Sequence, residues 1–67
     1  MGTEYDFVIS NGTTARMWFN GYCGKWQIDH FSGDRICRVA LCKDAKEAVN
    51  RLRNLAQMWG GFTVAMV

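Results

Sequence analysis

Four side chains of this sequence could together ligate a metal ion: Cys23, His30, Cys37 and Cys42. Structural zinc sites take four nitrogen or sulfur ligands, and closely spaced ligand pairs on a turn make them recognisable. The spacing here, C-x6-H-x6-C-x4-C, contains no such pair. Strict alternation along a strand would also send Cys37 and Cys42 to opposite faces of a sheet. The pattern favours unligated thiols, and we predict neither a metal nor another cofactor.

Acid–base chemistry is the second candidate, because Asp29 and Asp34 lie close to His30 in the sequence. Such an enzyme needs a base beside a nucleophile, paired carboxylates or a metal. The sequence pattern places Asp29 on a strand and Asp34 in a tight turn, which gives no catalytic set. The glycines are scattered through turns and do not form a phosphate-binding loop. We predict that the protein is not an enzyme.

The composition predicts one small folded unit. The chain has 67 residues, is 49% hydrophobic and contains no proline, so it fits a single domain over residues 1–67 with no linker. No apolar run approaches the roughly 20 residues that span a bilayer, and the N-terminus is acidic where a secretory signal is basic. Three cysteines form an odd set that is typical of a reducing compartment. We therefore expect a cytoplasmic protein with no membrane association.

Alternation of apolar and polar residues predicts four strands in the first two thirds of the chain. They run from Tyr5 to Ser10, Thr14 to Asn20, Lys25 to Phe31 and Arg35 to Cys42. Asn11-Gly12 predicts a hairpin with a type I′ turn between the first two strands, because both residues tolerate a positive φ. Two further turns, around residues 21–24 and 32–34, separate the remaining strands.

One amphipathic helix follows the strands. Asp44 can cap it, Glu47 can complete a capping box, and Gly60-Gly61 can end it. Its apolar stripe consists of Ala45, Ala48, Val49, Leu52, Leu55, Ala56 and Trp59. Phe62 to Val67 is expected to form a short last strand or a packed irregular tail. The prediction is an α+β fold in which an antiparallel four-stranded sheet is followed by one helix on one face, in the order β-β-β-β-α-β.

Strand alternation also predicts which side chains the helix covers. The inward set is Ala15, Met17, Phe19, Trp26, Ile28, Cys37, Val39 and Leu41, and in the first strand Tyr5, Phe7 and Ile9 share one side. The opposite face is left free, and we predict that it binds a partner. Its contact residues are Arg16, Trp18, Lys25, Gln27, Ile36 and Arg38, and Ala40 is expected on the same face. A mixture of cations, an amide and large apolar groups is suited to binding a macromolecule.

Part of this arrangement resembles a DNA-binding fold. Lys25-Trp26-Gln27-Ile28, a turn, a strand and Lys43-Asp44-Ala45-Lys46-Glu47-Ala48 follow the order seen in integrase amino-terminal arm-binding domains and plant ethylene-response-factor domains. In those families a three-stranded sheet enters the major groove. The resemblance covers about residues 15–58 and implies a set of DNA contacts. These would be made by Arg16, Trp18, Lys25, Gln27 and Arg38. The extra acidic first strand and the small number of cations make nucleic acid the alternative partner.

In size and style the chain also resembles the small inhibitor proteins that phages and mobile elements use, including CRISPR inhibitors. This resemblance implies a protein partner that handles nucleic acid in the host. Trp18 with Arg16, Arg38 and Ile36 would form an aromatic and arginine hot spot, whereas the net charge of +2 fits acidic mimicry of nucleic acid poorly. We therefore predict a protein partner. A homodimer in which the free face covers its twin is a third interpretation.

Overall fold

The computed structural model describes residues 4–60 and 64–66 of the chain. The elements are β1 (Glu4–Ile9), β2 (Thr14–Asn20), β3 (Lys25–Ser32), β4 (Arg35–Cys42), α1 (Ala45–Met58) and β5 (Val64–Met66). The predicted α+β fold is therefore confirmed. The last predicted strand, Phe62 to Val67, is present as the shorter β5, and its remaining residues lie outside the described part of the chain.

The five strands form one antiparallel sheet in the order β4-β3-β2-β1-β5. Consecutive hairpins connect β1 to β4, and α1 then leads from the β4 edge to β5, which pairs with β1. An antiparallel sheet can pack one face on a core and leave the other in solvent. Here α1 packs mainly against β3 and β4, and the opposite face of the sheet carries no other described element. We call that opposite surface the free face.

Local contacts fix both ends of α1. Asp44 is the N-cap, and its Oδ1 accepts a hydrogen bond of 2.8 Å from the Glu47 backbone N–H. The Glu47 carboxylate accepts in turn from the backbone N–H of Lys43 at 2.7 Å, one residue before the cap. At the other end Gly60 adopts a φ of +87°, a conformation that glycine takes without steric penalty. Asp44 and Gly60 thus serve as the predicted cap and stop, whereas the second predicted stop residue, Gly61, lies outside the described residues.

The core lies between α1 and the sheet. Its fully buried members are Ile9, Ala15, Met17, Ile28, Cys42, Ala48, Leu52 and Ala56. Three aromatic side chains of the helix-covered side lie outside the fully buried core: Tyr5 and Phe19, on β1 and β2, are exposed, and Trp26 is half-buried. These rings pack on one another, with the Trp26 centroid 6.3 Å from Tyr5 and 5.9 Å from Phe19.

A β-bulge in β4 changes the facing of its second half. Ile28 of β3 lies opposite Ala40, whereas Asp29 lies opposite Arg38, so that Val39 is an extra residue in β4. A bulge shifts the alternation by one position. Ala40 therefore lies on the helix-covered side and Leu41 on the free face. The opposite prediction for these two residues was wrong.

The same bulge corrects the expectation for the cysteines of β4. Cys37 lies opposite His30, and Cys42 lies opposite Trp26. His30 and Trp26 are two residues either side of the buried Ile28, so both cysteines are on the helix-covered side. The prediction that Cys37 and Cys42 occupy opposite faces was wrong, because it assumed unbroken alternation.

The β1–β2 turn also differs from its prediction. Gly12 has a φ of +91°, but none of the described non-glycine residues has a positive φ. Asn11 is therefore not in the conformation that a type I′ turn needs. The Gly12 N–H donates to the Ile9 carbonyl, and the Ile9 N–H donates to the Thr13 carbonyl, both at 2.9 Å. This is a three-residue loop with glycine in the left-handed position.

Candidate interaction surface

The cross-strand register places all six predicted contact residues on the free face. The pairs are Arg16 with Asp29, Trp18 with Gln27, Asn20 with Lys25, Asp29 with Arg38, and Phe31 with Ile36. Directly opposite residues point to the same side of an antiparallel pair. The structure therefore brings these six side chains onto one surface, while their role in binding stays a prediction.

A hydrogen-bond network occupies the centre of the free face. The Trp18 indole Nε1–H donates to Asp29 Oδ2, and the Gln27 amide Nε2 donates to Asp29 Oδ1, both at 2.8 Å. The Asn20 amide Nδ2 donates to Gln27 Oε1 at 2.9 Å. We call Trp18, Asn20, Gln27 and Asp29 the central network. Both oxygens of the Asp29 carboxylate accept a bond from within it.

The central network limits what two of the predicted contact residues can do. Gln27 is only 8% exposed, and both ends of its amide are hydrogen-bonded to neighbours. It is therefore a buried structural residue, out of reach of a partner. Trp18 is half-buried and its only N–H donor is taken by Asp29. A partner could still cover the Trp18 ring, but replacing this residue would also disturb the network.

Arg16 is held by an acidic neighbour on the first strand. Its Nε donates to Asp6 Oδ1 at 2.8 Å, and this hydrogen bond raises the pKa of the guanidinium. The same guanidinium lies over the Phe31 ring, 5.6 Å from the centroid, within the range of a cation–π contact. Arg16 is thus fixed between two partners before any ligand arrives.

A shallow pocket opens beside this ion pair. Its volume is about 280 Å³, and its lining consists of Asp6, Phe7, Thr14, Ala15, Arg16 and Phe31. Pockets for small molecules and cofactors begin at roughly 300 Å³ and are mostly enclosed. This one is open, and its volume lies just below that limit. Its size suits a single side chain from a macromolecular partner.

The fourth strand places three exposed side chains on the free face. Ile36 is 68% exposed and Leu41 is 40% exposed. Arg38 lies between them and is exposed, and its side chain has no hydrogen bond or ion pair with any residue that the structure describes. We call Ile36, Arg38 and Leu41 the β4 strip. Leu41 was missed from the sequence, because only the bulge at Val39 turns it to this face.

The charges of the free face balance. Among the described residues that the register places there, three are acidic and three are basic. They are Glu4, Asp6, Asp29, Arg16, Lys25 and Arg38. The opposite signs alternate across the middle of the sheet, from Asp6 through Arg16 and Asp29 to Arg38. The face is therefore a mixed surface and does not concentrate positive charge.

The only histidine of the sequence serves a structural contact on the covered side. The His30 ring stacks on Trp59, with centroids 3.7 Å apart and planes 2° from parallel. Its Nε2 is 2.8 Å from the Thr13 hydroxyl, which itself donates to Asn11 Oδ1 at 2.7 Å. The His30 Nε2 therefore carries the proton and donates to Thr13. Burial lowers the pKa of His30.

Asn11 completes this contact by reaching the helix. Its Nδ2 donates to the Trp59 carbonyl at 2.8 Å, and its Oδ1 accepts from the Thr13 backbone N–H at 3.0 Å. We call Asn11, Thr13, His30 and Trp59 the clasp. It ties the end of α1 to the β1–β2 turn. An Asn side chain therefore satisfies a carbonyl at the C-terminal end of α1 that has no partner within the helix.

The thiols do not gather around His30. Cys23 and Cys37 are exposed, and Cys42 is buried, which raises its pKa. In the ranges 4–60 and 64–66, no three His, Cys, Asp or Glu side chains are placed to hold a metal ion together. His30 and Cys37 are cross-strand neighbours, but Nε2 of His30 is bound to Thr13. The absence of a cofactor and of catalysis stays a prediction.

The geometry defines a small α+β domain with one exposed sheet face of mixed character. Within the described residues, α1 is not long and apolar enough to cross a membrane. Comparison of the chain with protein-family models, with curated proteins and with solved structures finds no match. The function therefore has to be argued from the free face itself.

Proposed function

We propose that this protein is a non-catalytic binding module whose free face engages a protein partner. The observation that carries the proposal is the β4 strip. It presents two exposed aliphatic side chains, Ile36 and Leu41, on either side of the unpaired guanidinium of Arg38. In protein interfaces a few residues supply most of the binding energy, and arginine is among the types enriched there.

The balance of charge on the free face favours a protein over nucleic acid. A surface that tracks a phosphate backbone gains affinity from several unpaired cations. Here Arg16 is neutralised by Asp6 at 2.8 Å, and three acidic side chains share the face with three basic ones. DNA or RNA would be repelled by those acids, whereas a mixed protein surface can match them.

The central network supports the same proposal from the standpoint of rigidity. Its three side-chain hydrogen bonds hold the Trp18 ring and the residues beneath it in place, so less conformational freedom is lost when a partner covers that ring. We assign the module to the inhibitors or adaptors that phages and mobile elements direct against nucleic-acid-handling proteins of a host, such as CRISPR inhibitors. The three free thiols favour the cytoplasm as its compartment.

The test is affinity capture with a variant that changes only the free face. Wild-type protein and Ile36→Asp are used to capture partners from a host lysate, with and without nuclease treatment. We expect a nuclease-resistant protein partner that wild type retains and Ile36→Asp loses, with its affinity reduced by more than about 2 kcal/mol. The matched control is Met58→Asp, because Met58 is 80% exposed on α1, away from the free face.

Three results would count against the proposal. Recovery of material that disappears after nuclease treatment would assign the face to nucleic acid. Equal loss of the partner with Met58→Asp would remove the free face from the interaction. Sedimentation of wild type as a dimer that Ile36→Asp dissociates, with no other partner captured, would assign the face to self-association.

A further inference from the structure

No described residue pairs with the outer edge of β4, which leaves this edge open to an additional strand. β4 has eight residues and is the terminal strand of the sheet, whereas the other terminal strand, β5, has three. Residues 35–38 are exposed without interruption. An edge strand offers backbone N–H and C=O groups that can pair with an extended segment of another chain. β4 is therefore the longer of the two available edges.

The side chains beside that edge specify what the segment should carry. In an added strand, residues at alternate positions would lie next to the β4 strip on the free face. Opposite Arg38 the favourable residue is a carboxylate, because Asp29, its neighbour on β3, already accepts from Trp18 and Gln27. Opposite Ile36 and towards Leu41 the favourable residues are apolar.

A basic segment would fit this edge poorly. A Lys or Arg side chain opposite Arg38 would place like charges side by side, which destabilises a cross-strand pair. The nearest described carboxylate across the sheet, Asp29, is held in the central network. The unpaired charge next to the open edge is thus positive, and the complementary charge in the partner is negative.

We propose that the partner adds an extended segment to the edge of β4, with an acidic side chain flanked by apolar ones at alternate positions. The pattern is apolar–x–acidic–x–apolar, and it reads the same in either chain direction. This inference rests on the proposed function and names the chemistry of its partner. The acidic residue pairs with Arg38, and the apolar residues cover Ile36 and Leu41.

The experiment uses the full-length protein and an array of synthetic peptides of about seven residues, the length of an ordinary strand. Threonine occupies the intervening positions, and the three alternate positions carry apolar, acidic or basic residues in every combination. We expect wild type to retain the apolar–x–acidic–x–apolar peptides over their lysine counterparts by roughly an order of magnitude. Arg38→Glu should reverse that preference towards the lysine peptides.

Arg53→Glu is the matched control, because Arg53 is an exposed arginine on α1, away from the free face. It makes the same change of charge and should leave the preference for acidic peptides intact. A preference that Arg38→Glu does not reverse, or that Arg53→Glu reverses equally, overturns the inference. So does an array on which wild type retains no peptide above background.

These failures are distinguishable from failure of the proposed function. If the array shows no charge preference while the lysate partner is still lost with Ile36→Asp, the face binds protein in another manner. If the lysate partner does not depend on Ile36 at all, the proposed function itself is wrong. The Arg38 side chain makes no hydrogen bond or ion pair with the described residues, so Arg38→Glu is expected to fold, and thermal unfolding checks this.

Discussion

The two faces of the sheet exclude water by different means. On the helix-covered face, apolar contact alone buries Ile28 completely against α1. On the free face, Gln27 is only 8% exposed although no described element lies over it. Its amide is bonded at both ends, to Asn20 and to Asp29. Water is thus excluded from the helix-covered face by apolar packing and from the centre of the free face by a hydrogen-bond network.

This difference explains where a partner can gain energy. A buried polar group contributes to stability when its hydrogen bonds are made within the protein. Because these bonds are already made, the group gains little from bonding to a partner. The central network is therefore rigid and has few free hydrogen-bond donors or acceptors for a partner. The β4 strip lies outside it and keeps its groups unpaired, so binding energy should concentrate there.

The largest effect should come from the helix-covered face. Leu52→Ala removes a fully buried side chain of α1, and such truncations cost about 2–5 kcal/mol because they lose burial and leave a cavity. A domain of this size is stable by only about 0.05–0.15 kcal/mol per residue. The variant should therefore be largely unfolded, or much less stable, in urea denaturation followed by tryptophan fluorescence.

Leu41→Ala is the control that tests the bulge. Leu41 is 40% exposed on the free face, so the same chemical change should cost less than about 1 kcal/mol. If the two leucine variants lose equal stability, β4 has no bulge at Val39 and Leu41 belongs to the core. A small loss with Leu41→Ala together with weaker partner binding would sharpen the contrast between the two faces.

The next effect concerns the central network. Asp29→Ala removes the acceptor of both the Trp18 indole and the buried Gln27 amide. Leaving such donors without a partner costs about 1–3 kcal/mol. Asp34→Ala, in the exposed β3–β4 turn, is the matched control and should change the free energy of unfolding by less than about 0.5 kcal/mol. Equal values for the two variants would mean that the network does not stabilise the free face.

Much of the fold could be predicted because its signals are local. Alternation identified the strands, and the spacing of Asp44, Glu47 and Gly60 identified the helix with its cap and its end. The bulge could not be predicted, because Val39 is an ordinary strand residue and the extra position depends on pairing with β3. For this reason the faces predicted for Ala40 and Leu41 were wrong.

The position of the candidate contact residues on one face was predicted, but their individual environments were not. All six predicted contact residues lie on the free face, since alternation held in β2, in β3 and in the first half of β4. Their individual environments depend on which neighbours they meet. From the sequence alone, Gln27 is expected to be a solvent-exposed amide. In the structure Asn20 and Asp29 lie close enough to hydrogen-bond with its side chain and bury it. This proximity follows from the register of β2 and β3, which the sequence does not show.

A smaller effect should follow from removing the helix cap. Asp44→Ala takes away the acceptor of the Glu47 N–H and should lower the free energy of unfolding by about 1 kcal/mol. Because α1 covers only one face, binding through the β4 strip should be unchanged under conditions where the variant remains folded. Urea denaturation and affinity for the captured partner test the two statements separately. Loss of affinity in the folded variant would show that the two faces are coupled.

The smallest effect should be a pH dependence that belongs to the helix-covered face. Burial lowers the pKa of His30 below its usual value of 6.5, so the unfolded chain binds the proton more readily than the folded one. The stability that neutral His30 provides is present above about pH 6.5 and is lost as the pH falls towards the lower, folded pKa. Asn11, Thr13, Trp59 and Cys37 face the ring, and none of them carries a compensating negative charge.

The measurement is urea denaturation of wild type and His30→Gln between about pH 7.5 and pH 5, a window that begins above the unfolded pKa of histidine and stays above those of the carboxylates. Wild type should lose stability over this interval, and His30→Gln should lose less, since glutamine does not titrate. Part of the ring is exposed, which keeps the difference small. A wild type that gains stability on acidification would mean that the clasp holds a charged imidazole over Trp59.

Because the clasp lies on the covered side, partner binding through the β4 strip should not follow the His30 titration. That independence would separate the face that maintains the fold from the face proposed to bind.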